Sequence, residues 1–294
     1  MLIGIERLTQ GSHNSKKGRA NIVSVLIWLT IVIFFSSTAF AAEITFKFSD
    51  SNLIENQSFS LEGHEYLPKQ WNGKVILMSH GSTGGNYSAV KTSLKFVNIS
   101  KIATDNGYIF VTYMRKGRGK SEGKFTEETG RCDYGSLTRE VSEAEAQLRQ
   151  VLQQVKDKHR VSKVILMGHS RGGFLSSVYA SKNPGEVQAV VNLAGAWSAV
   201  CEGKNGGFAR QALEEAAKKF KPHFWAYFEN DSYFATGKFG DKDYIWFKKM
   251  AEENRVTLKV FSDAGRSDGH QAPTWAPKEW ADFFFPLMGE LDLR

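Results

Sequence analysis

Short apolar runs rich in β-branched residues alternate along the chain with longer amphipathic stretches. The runs are continuous in apolar character, which is typical of strands that are buried on both faces of a parallel sheet. We predict strands at 74–78, 108–113, 163–167, 187–193, 224–228 and 257–261. Helices are predicted at 87–106, 137–158, 172–181, 208–220, 243–254 and 277–288. This alternation predicts an α/β fold with a doubly wound, mostly parallel sheet and right-handed crossovers.

The region before the first of these strands has a different pattern. Residues 42–72 contain the run Ile-Thr-Phe-Lys-Phe and two breaks rich in Gly, Asn and Asp, which predicts antiparallel edge strands. The rest of the chain contains no linker, repeat or low-complexity tract. Residues 42–294 therefore predict a single domain.

The first 41 residues have the layout of a secretory signal peptide. Basic residues come first, an almost unbroken apolar run covers 22–35, and small residues end in Ala-Phe-Ala at 39–41. We expect cleavage after Ala41 and an exported, periplasmic or secreted bacterial protein without stable membrane insertion. The alternative is an uncleaved anchor helix, since the run approaches the length that a span needs.

The charge balance changes once this segment is set aside. The full chain of 294 residues has 38 basic and 31 acidic residues and a formal charge of +7, which by itself would suggest an anionic partner. Residues 1–41 hold four of the basic residues and one of the acidic ones, so the remainder carries +4. We therefore expect no nucleic-acid partner.

The sharpest motif is Gly-His-Ser-Arg-Gly-Gly at 168–173, directly after one predicted strand and directly before a helix. In that context G-x-S-x-G is a nucleophile elbow, a strained turn from which Ser170 projects its hydroxyl. The unpaired N–H groups at the start of the helix favour negative charge that develops nearby. Ser170 is therefore the candidate nucleophile.

A serine hydroxyl needs a base and a carboxylate that orients the base. In this architecture the order along the chain is serine, acid and histidine, and His270 lies in the last long loop. Asp231 is our choice for the acid because it follows the end of a strand. Glu229 is the second choice, Asp263 and Asp268 remain open, and the expected role of Asp268 is to form a turn.

Two backbone N–H groups are needed to stabilise an oxyanion in acyl transfer. Arg171 supplies the first, as the residue after the nucleophile. The glycine-rich turn His-Gly-Ser-Thr-Gly-Gly at 80–85 predicts the second at Ser82, or at Thr83 if the turn is one residue longer. The ring of His80 is expected to brace this turn.

These motifs resemble the α/β-hydrolase superfamily, and within it exported dienelactone-hydrolase-like serine hydrolases. The resemblance covers about residues 70–290 and includes the arginine- and glycine-rich stretch at 115–123. It implies an α/β-hydrolase fold, a triad of Ser170, Asp231 and His270, and an acyl-enzyme that water hydrolyses, with no metal or cofactor. It also implies that the 115–123 turn shapes the rim of the site. True dienelactone hydrolases use cysteine, so their substrate is not carried over.

Two loops on the same sheet edge as Ser170, 121–136 and 194–207, are longer than a minimal version of the fold needs. Each contains one of the two cysteines, and an exported chain favours their pairing, so we predict a disulfide between Cys132 and Cys201. Aromatic residues near this edge form either an apolar acyl or aryl pocket or ordinary loop packing. They are Phe125, Tyr134, Trp197, Tyr233, Phe234 and Trp275.

The sequence thus predicts a serine hydrolase that cleaves a small-molecule ester or related acyl bond. One alternative is a small peptidase or amidase similar to the prolyl oligopeptidases, and another is a catalytically silent hydrolase fold that binds a ligand. Three basic residues, Arg171, Lys204 and Arg266, either favour an anionic substrate or, as we expect, are solvated at the surface.

Overall fold

The computed structural model describes residues 41–50, 57–82, 90–127, 132–197, 207–220, 222–232, 243–262 and 268–291. Of the predicted signal segment at 1–41, residues 1–40 lie outside these ranges, and Ala41 is the first residue of a strand. In the part of the chain that is described, no helix is both long enough and apolar enough to cross a membrane.

Eight strands of the described chain form one sheet in the order β1-β2-β4-β3-β5-β6-β7-β8. Their bounds are β1 Ala41–Asp50, β2 Gln57–Tyr66, β3 Val75–Ser79, β4 Ile109–Tyr113, β5 Ile165–His169, β6 Ala189–Leu193, β7 His223–Phe228 and β8 Thr257–Phe261. The strands β3 to β8 are parallel, whereas β1 pairs antiparallel with β2 and β2 pairs antiparallel with β4. The predicted α/β-hydrolase fold with antiparallel N-terminal strands is confirmed.

The helices follow the predicted alternation. Their bounds are α1 Val97–Asp105, α2 Tyr134–His159, α3 Arg171–Lys182, α4 Phe208–Lys219, α5 Asp243–Glu253, α6 Ala272–Trp275 and α7 Lys278–Gly289. A short 3-10 helix, Gly269–Gln271, precedes α6.

Two predicted boundaries are wrong. The helix expected at 87–106 is interrupted: Val90 is helical, residues 91–96 are not, and α1 begins at Val97 after Phe96, whose left-handed conformation with φ of 50° does not continue a helix. Residues 87–89 lie outside the described ranges. The loop expected at 121–136 ends earlier, since α2 begins at Tyr134. The side chain of Asp133 caps α2 by accepting a hydrogen bond of 2.8 Å from the backbone N–H of Ser136.

Helices cover both faces of the sheet and form two buried apolar clusters. One cluster contains Leu148 of α2, Phe174 of α3 and Leu213 of α4 against one face of the strands. The other contains Ile99 of α1 and Trp280 of α7 against the opposite face. Parallel strands covered in this way have their carboxyl ends along one edge, and at such edges α/β proteins bind their ligands.

Candidate active site

Ser170 occupies a sharp turn between β5 and α3. Its φ is 54°, in the left-handed region that a serine rarely adopts. The turn is held by a hydrogen bond of 2.9 Å from the Ser170 N–H to the Leu193 carbonyl. The Ser170 carbonyl accepts bonds from the N–H groups of Phe174 and Ala196. These contacts keep a strained residue in place at the carboxyl end of the central strand.

Glycine is required on both sides of this turn because the backbones approach closely. A Cβ added to Gly168 would lie 2.1 Å from the carbonyl carbon of Gly172. A Cβ added to Gly172 would lie 1.9 Å from the Ser79 carbonyl oxygen. The start of α3 therefore packs directly on the end of β3, and the two glycines of the motif make this contact possible.

His270 and Asp231 meet Ser170 at this edge of the sheet. His270 Nε2 lies 3.0 Å from Ser170 Oγ, and His270 Nδ1 lies 3.1 Å from each carboxylate oxygen of Asp231. All three residues are buried. In the tautomer with its proton on Nδ1, the His270 ring donates to Asp231 and presents Nε2 as a hydrogen-bond acceptor to the Ser170 hydroxyl. The structure thus brings together the three residues predicted as nucleophile, base and acid.

The structure also distinguishes among the candidate acids. Glu229 is exposed, and Asp263 lies outside the described residues. Asp268 accepts hydrogen bonds of 2.9 Å from the backbone N–H groups of His270 and Ser232, and another of 2.8 Å from the Ser232 hydroxyl. Burial opposes ionisation of Asp268, but these bonds outweigh it and lower the pKa of its carboxyl. Asp268 therefore joins the two loops that carry Asp231 and His270, a role close to the expected turn former.

His169 contacts the backbone of His270, an interaction that sequence reasoning missed. Its Nε2 donates a hydrogen bond of 2.7 Å to the carbonyl of His270. Burial, together with the neighbouring His270, lowers the pKa of His169 to about 3, so its ring is neutral near pH 7. Its position as the variable residue of G-x-S-x-G gave no signal for this contact.

The glycine-rich turn after β3 lies against the serine. A Cβ added to Gly81 would be 2.9 Å from the Cβ of Ser170, so the turn passes beside this serine. Ser82 follows and is exposed, whereas Thr83 lies outside the described residues. Arg171 is the first residue of α3, where backbone N–H groups have no partner within the helix. The oxyanion roles of Arg171 and Ser82 stay predictions.

The ring of His80 braces this turn, as the sequence predicted. Its Nδ1 bonds the Gly81 carbonyl at 2.6 Å, and its Nε2 accepts from the backbone N–H of Arg115 at 3.0 Å. Burial, with the charges of Arg115 and Arg118, lowers the pKa of His80 well below the ordinary value. A neutral ring with the proton on Nδ1 satisfies both bonds.

The arginine-rich turn differs from the expectation. The turn at 115–123 is expected to shape the rim of the site, but the side chains of its two arginines, Arg115 and Arg118, are fully buried. Arg171 was expected at the solvated surface, which is wrong because it is only 5 % exposed. All three guanidinium groups contact the carboxylate of Glu127. Sequence reasoning missed Glu127 because it stands in a polar stretch that is typical of an exposed loop.

Comparison with known proteins identifies the family. The family model described as serine aminopeptidase, S33, matches residues 73–239, which is more than half of the chain. This chain belongs to the serine aminopeptidase family S33. Membership of the α/β-hydrolase superfamily is thereby confirmed, and the family within it is S33. No protein of curated function matches the sequence.

Solved structures with the same fold as this S33 member share little sequence with it. A predicted CIB-like hydrolase from Thermoplasma acidophilum has a TM-score of 0.58 at 16% identity, covering 85% of this chain and 99% of that one. An esterase from Pyrococcus furiosus has a TM-score of 0.58 at 13% identity, with 86% and 92% covered. An acylaminoacyl peptidase from Pyrococcus horikoshii has a TM-score of 0.57 at 15% identity, with 86% and 41% covered.

The aromatic residues predicted near the site of this S33 hydrolase have several environments. Trp197 is buried and packs against Phe174 with ring centroids 5.3 Å apart, so it is part of the core. The ring of Phe125 lies 4.3 Å from the guanidinium carbon of Arg118, and Tyr134 is 63% exposed. Trp197 thus packs in the core, and Phe125 packs against Arg118.

The remaining sequence predictions for this S33 hydrolase concern cysteines, basic residues and metals. Cys132 packs against the core, whereas Cys201 lies outside the described residues, so the predicted disulfide stays a prediction. Tyr233, Phe234, Lys204 and Arg266 also lie outside them. Within the described ranges, no group of three or more histidine, cysteine or acidic side chains is arranged to hold a metal ion.

Proposed function

We propose that this α/β hydrolase cleaves a carboxylic ester or a related acyl bond of a small molecule through an acyl-enzyme on Ser170. The observation that carries the proposal is the continuous chain of contacts from Ser170 Oγ through the His270 ring to Asp231. A nucleophile, a base and an orienting carboxylate in this order are the parts that serine acyl transfer requires.

The proposed reaction has two halves. Ser170 Oγ attacks the acyl carbon and gives its proton to His270 Nε2, while Asp231 stabilises the resulting imidazolium. The carbon–oxygen bond of the ester breaks, and the leaving alkoxide takes that proton from His270. Water then attacks the acyl-enzyme and gives a proton to His270, which returns it to Ser170 as the acid product leaves.

Replacement of the nucleophile tests this proposal. Ser170→Ala is expected to reduce p-nitrophenyl acetate turnover to the residual background while leaving the circular dichroism spectrum unchanged. A matched control is Ser142→Ala, which removes an exposed hydroxyl of α2 and should retain full activity. A fluorophosphonate probe should label the wild-type protein and the control, but not Ser170→Ala. Undiminished turnover by Ser170→Ala would overturn the proposal, and an unlabelled wild-type protein would favour the silent binding fold.

A peptidase or amidase is the second candidate. The matched family model bears the name serine aminopeptidase, and one structural neighbour is an acylaminoacyl peptidase. The two candidates share the acyl-enzyme and differ in the leaving group, an alcohol or an amine. Wild-type kcat/KM on matched pairs of p-nitrophenyl esters and p-nitroanilides of the same acyl group separates them. A higher value on the anilides would favour the peptidase.

Export is part of the same proposal, supported by the signal-like layout of residues 1–41. Expression of the full chain in a bacterial host should release a mature protein that begins at Ala42 into the periplasm or medium. Intact-mass measurement of the purified protein checks this. A membrane-bound product with residues 1–41 retained would favour the anchor helix instead.

A further inference from the structure

Glu127 is a buried carboxylate that contacts guanidinium groups from two separate parts of the chain. Its side chain is 8% exposed. Arg115 Nε and Nη2 bond its two oxygens, with Nη2 at 3.0 Å, and Arg171 Nη1 and Arg118 Nη2 each lie 3.3 Å from Oε2. The proposed acyl transfer assigns no part to this group.

Arg115 extends these contacts to the turn beside the nucleophile. Its Nη1 donates to the His80 carbonyl at 2.7 Å, and its Nη2 to the Gly81 carbonyl at 3.4 Å. Its backbone N–H donates to His80 Nε2 at 3.0 Å. One residue thus bonds three groups of the segment directly before Ser82, the predicted second oxyanion donor.

Arg171 extends the same contacts to the first turn of α3. Its side chain reaches Glu127, and its guanidinium carbon lies 5.1 Å from the ring centroid of Trp197. Its backbone N–H is the predicted first oxyanion donor. Because these contacts restrain the side chain, they also restrain the backbone at the start of α3.

We infer that Glu127 is a positioning residue that holds the two predicted oxyanion donors, the N–H groups of Arg171 and Ser82, at a fixed separation. Arg115 connects Glu127 to the turn at 80–82, and Arg171 connects it to α3. The inference rests on the proposed acyl transfer, because only that reaction develops charge between the two donors. Donors held in advance stabilise an oxyanion without reorganisation during the reaction.

The charge state of Glu127 agrees with this role. Burial alone would raise the pKa of its carboxyl, but the charges of Arg115, Arg118 and Arg171 lower it well below the ordinary value. The ionised group accepts hydrogen bonds from Arg115 through both oxygens. Glutamine has the same shape but presents a neutral amide whose N–H₂ cannot accept from a guanidinium.

The substitution Glu127→Gln in the full chain tests the inference. We expect kcat on p-nitrophenyl acetate to fall about 10-fold or more, with KM within about twofold, because misplaced donors weaken binding of the transition state more than binding of the substrate. The inhibition constant of a boronic acid, which forms a tetrahedral adduct with serine, should rise by the same factor. The rate of fluorophosphonate labelling should fall in parallel, and this readout requires no substrate.

The matched control is Glu65→Gln. Glu65 is also buried, at 5% exposed, but it bonds Lys158 and His159 at the far end of α2. This variant should lose stability without a change in kcat, inhibitor affinity or labelling rate. Urea unfolding of both variants separates loss of fold from loss of activity.

A folded Glu127→Gln with wild-type kcat and inhibitor affinity would overturn the inference and leave the role of Ser170 standing. If Ser170→Ala retained turnover, the proposed function itself would fail. Should Glu127→Gln not fold, Arg171→Met removes one of the two connections and retains the bonds between Arg115 and Glu127. A smaller kcat with KM unchanged in that variant supports the inference, whereas wild-type kcat overturns it.

Discussion

The carbonyl oxygen of His270 accepts a hydrogen bond of 2.7 Å from Nε2 of His169, the residue directly before Ser170, the proposed nucleophile. The backbone of the loop that carries the proposed base is thereby attached to β5, the strand that ends directly before Ser170. The two rings lie with centroids 5.2 Å apart. His169 therefore restrains the position of His270 through the backbone carbonyl of that residue.

Removal of this bond should affect the rate of the reaction more than substrate binding. We expect His169→Phe, which retains a flat ring but has no donor, to lower kcat on p-nitrophenyl acetate about 10- to 100-fold, the scale expected for a misplaced catalytic group. KM should change less than about twofold. The control His159→Phe removes a bond to Glu65 far from Ser170 and should keep wild-type kcat. Equal rates for the two variants would show that the His169 contact has no positioning role.

The buried histidines also predict how stability depends on pH. His169 has a pKa of about 3 in the folded protein, and the pKa of His80 is lowered in the same direction. An unfolded histidine titrates near pH 6.5, so below that pH the unfolded chain binds more protons than the folded one. The stability that these neutral rings contribute is complete above about pH 6.5 and is lost progressively as the pH falls toward the folded values.

Urea unfolding between pH 7 and pH 5 measures this effect, because carboxylates contribute little in that window. We expect the free energy of unfolding to fall by at most about 1.4 kcal/mol per pH unit for each buried histidine below pH 6.5. His169→Gln should make the dependence shallower by one such contribution. A slope that this variant leaves unchanged would contradict the low pKa of His169.

Part of the site could be predicted from the sequence because its residues follow recognisable strands. Ser170, Asp231 and His270 each come after an apolar run, so the parallel sheet alone brings them to one edge. Glu127 and the contact of His169 could not be found in this way. Each depends on the packing of segments that are distant in the chain, and local pattern contains no information about such partners.

The helix before β4 is a second example of a feature that the local sequence pattern does not predict. The predicted helix runs without a break from residue 87 to 106, whereas residues 91–96 are not helical and α1 begins at Val97 after the left-handed Phe96. Glycine and asparagine are the usual residues at such a position, so a phenylalanine gives no sequence signal for the break. Its ring packs against the apolar cluster of α1 and α7, so tertiary packing accompanies this conformation.

Mutation should distinguish the roles of the acidic residues at the site. Asp231→Asn keeps the shape but removes the carboxylate that fixes the His270 tautomer, and we expect kcat to fall about 10³- to 10⁴-fold. Asp268→Asn should act mainly through its backbone bonds, with an unfolding free energy lower by about 1–3 kcal/mol and a milder loss of kcat. Glu229→Gln, at an exposed position, is the control. Steady-state kinetics with urea unfolding measure all three, and a larger kcat loss for Asp268→Asn than for Asp231→Asn would reverse their roles.

The predicted disulfide is open to direct chemical measurement. Pairing of Cys132 with Cys201 would close a loop of about 70 residues and contribute roughly 3–4 kcal/mol in the chain-entropy model. Thiol titration of the exported protein in guanidinium without reductant should find no free thiol, and reductant should release two. Two thiols before reduction would exclude the bond.

Lys74 should stabilise the fold without any effect on catalysis. Its Nζ lies at the amino end of β3, the edge opposite Ser170, and donates to the carbonyls of Met288, Gly289 and Leu291 at 3.3, 3.2 and 2.9 Å. The first two carbonyls belong to the last residues of α7 and the third follows the helix, and at this end a positive charge also interacts favourably with the helix dipole. Lys74→Met retains the apolar stem but leaves the carbonyls without this donor, so we expect the unfolding free energy to fall by about 1–3 kcal/mol.

The control is Lys69→Met, at an exposed position. Its unfolding free energy should lie within about 0.5 kcal/mol of wild type in the same urea titration. Both variants should keep wild-type kcat, and a loss of activity in folded Lys74→Met would show that this end of the sheet is coupled to the site.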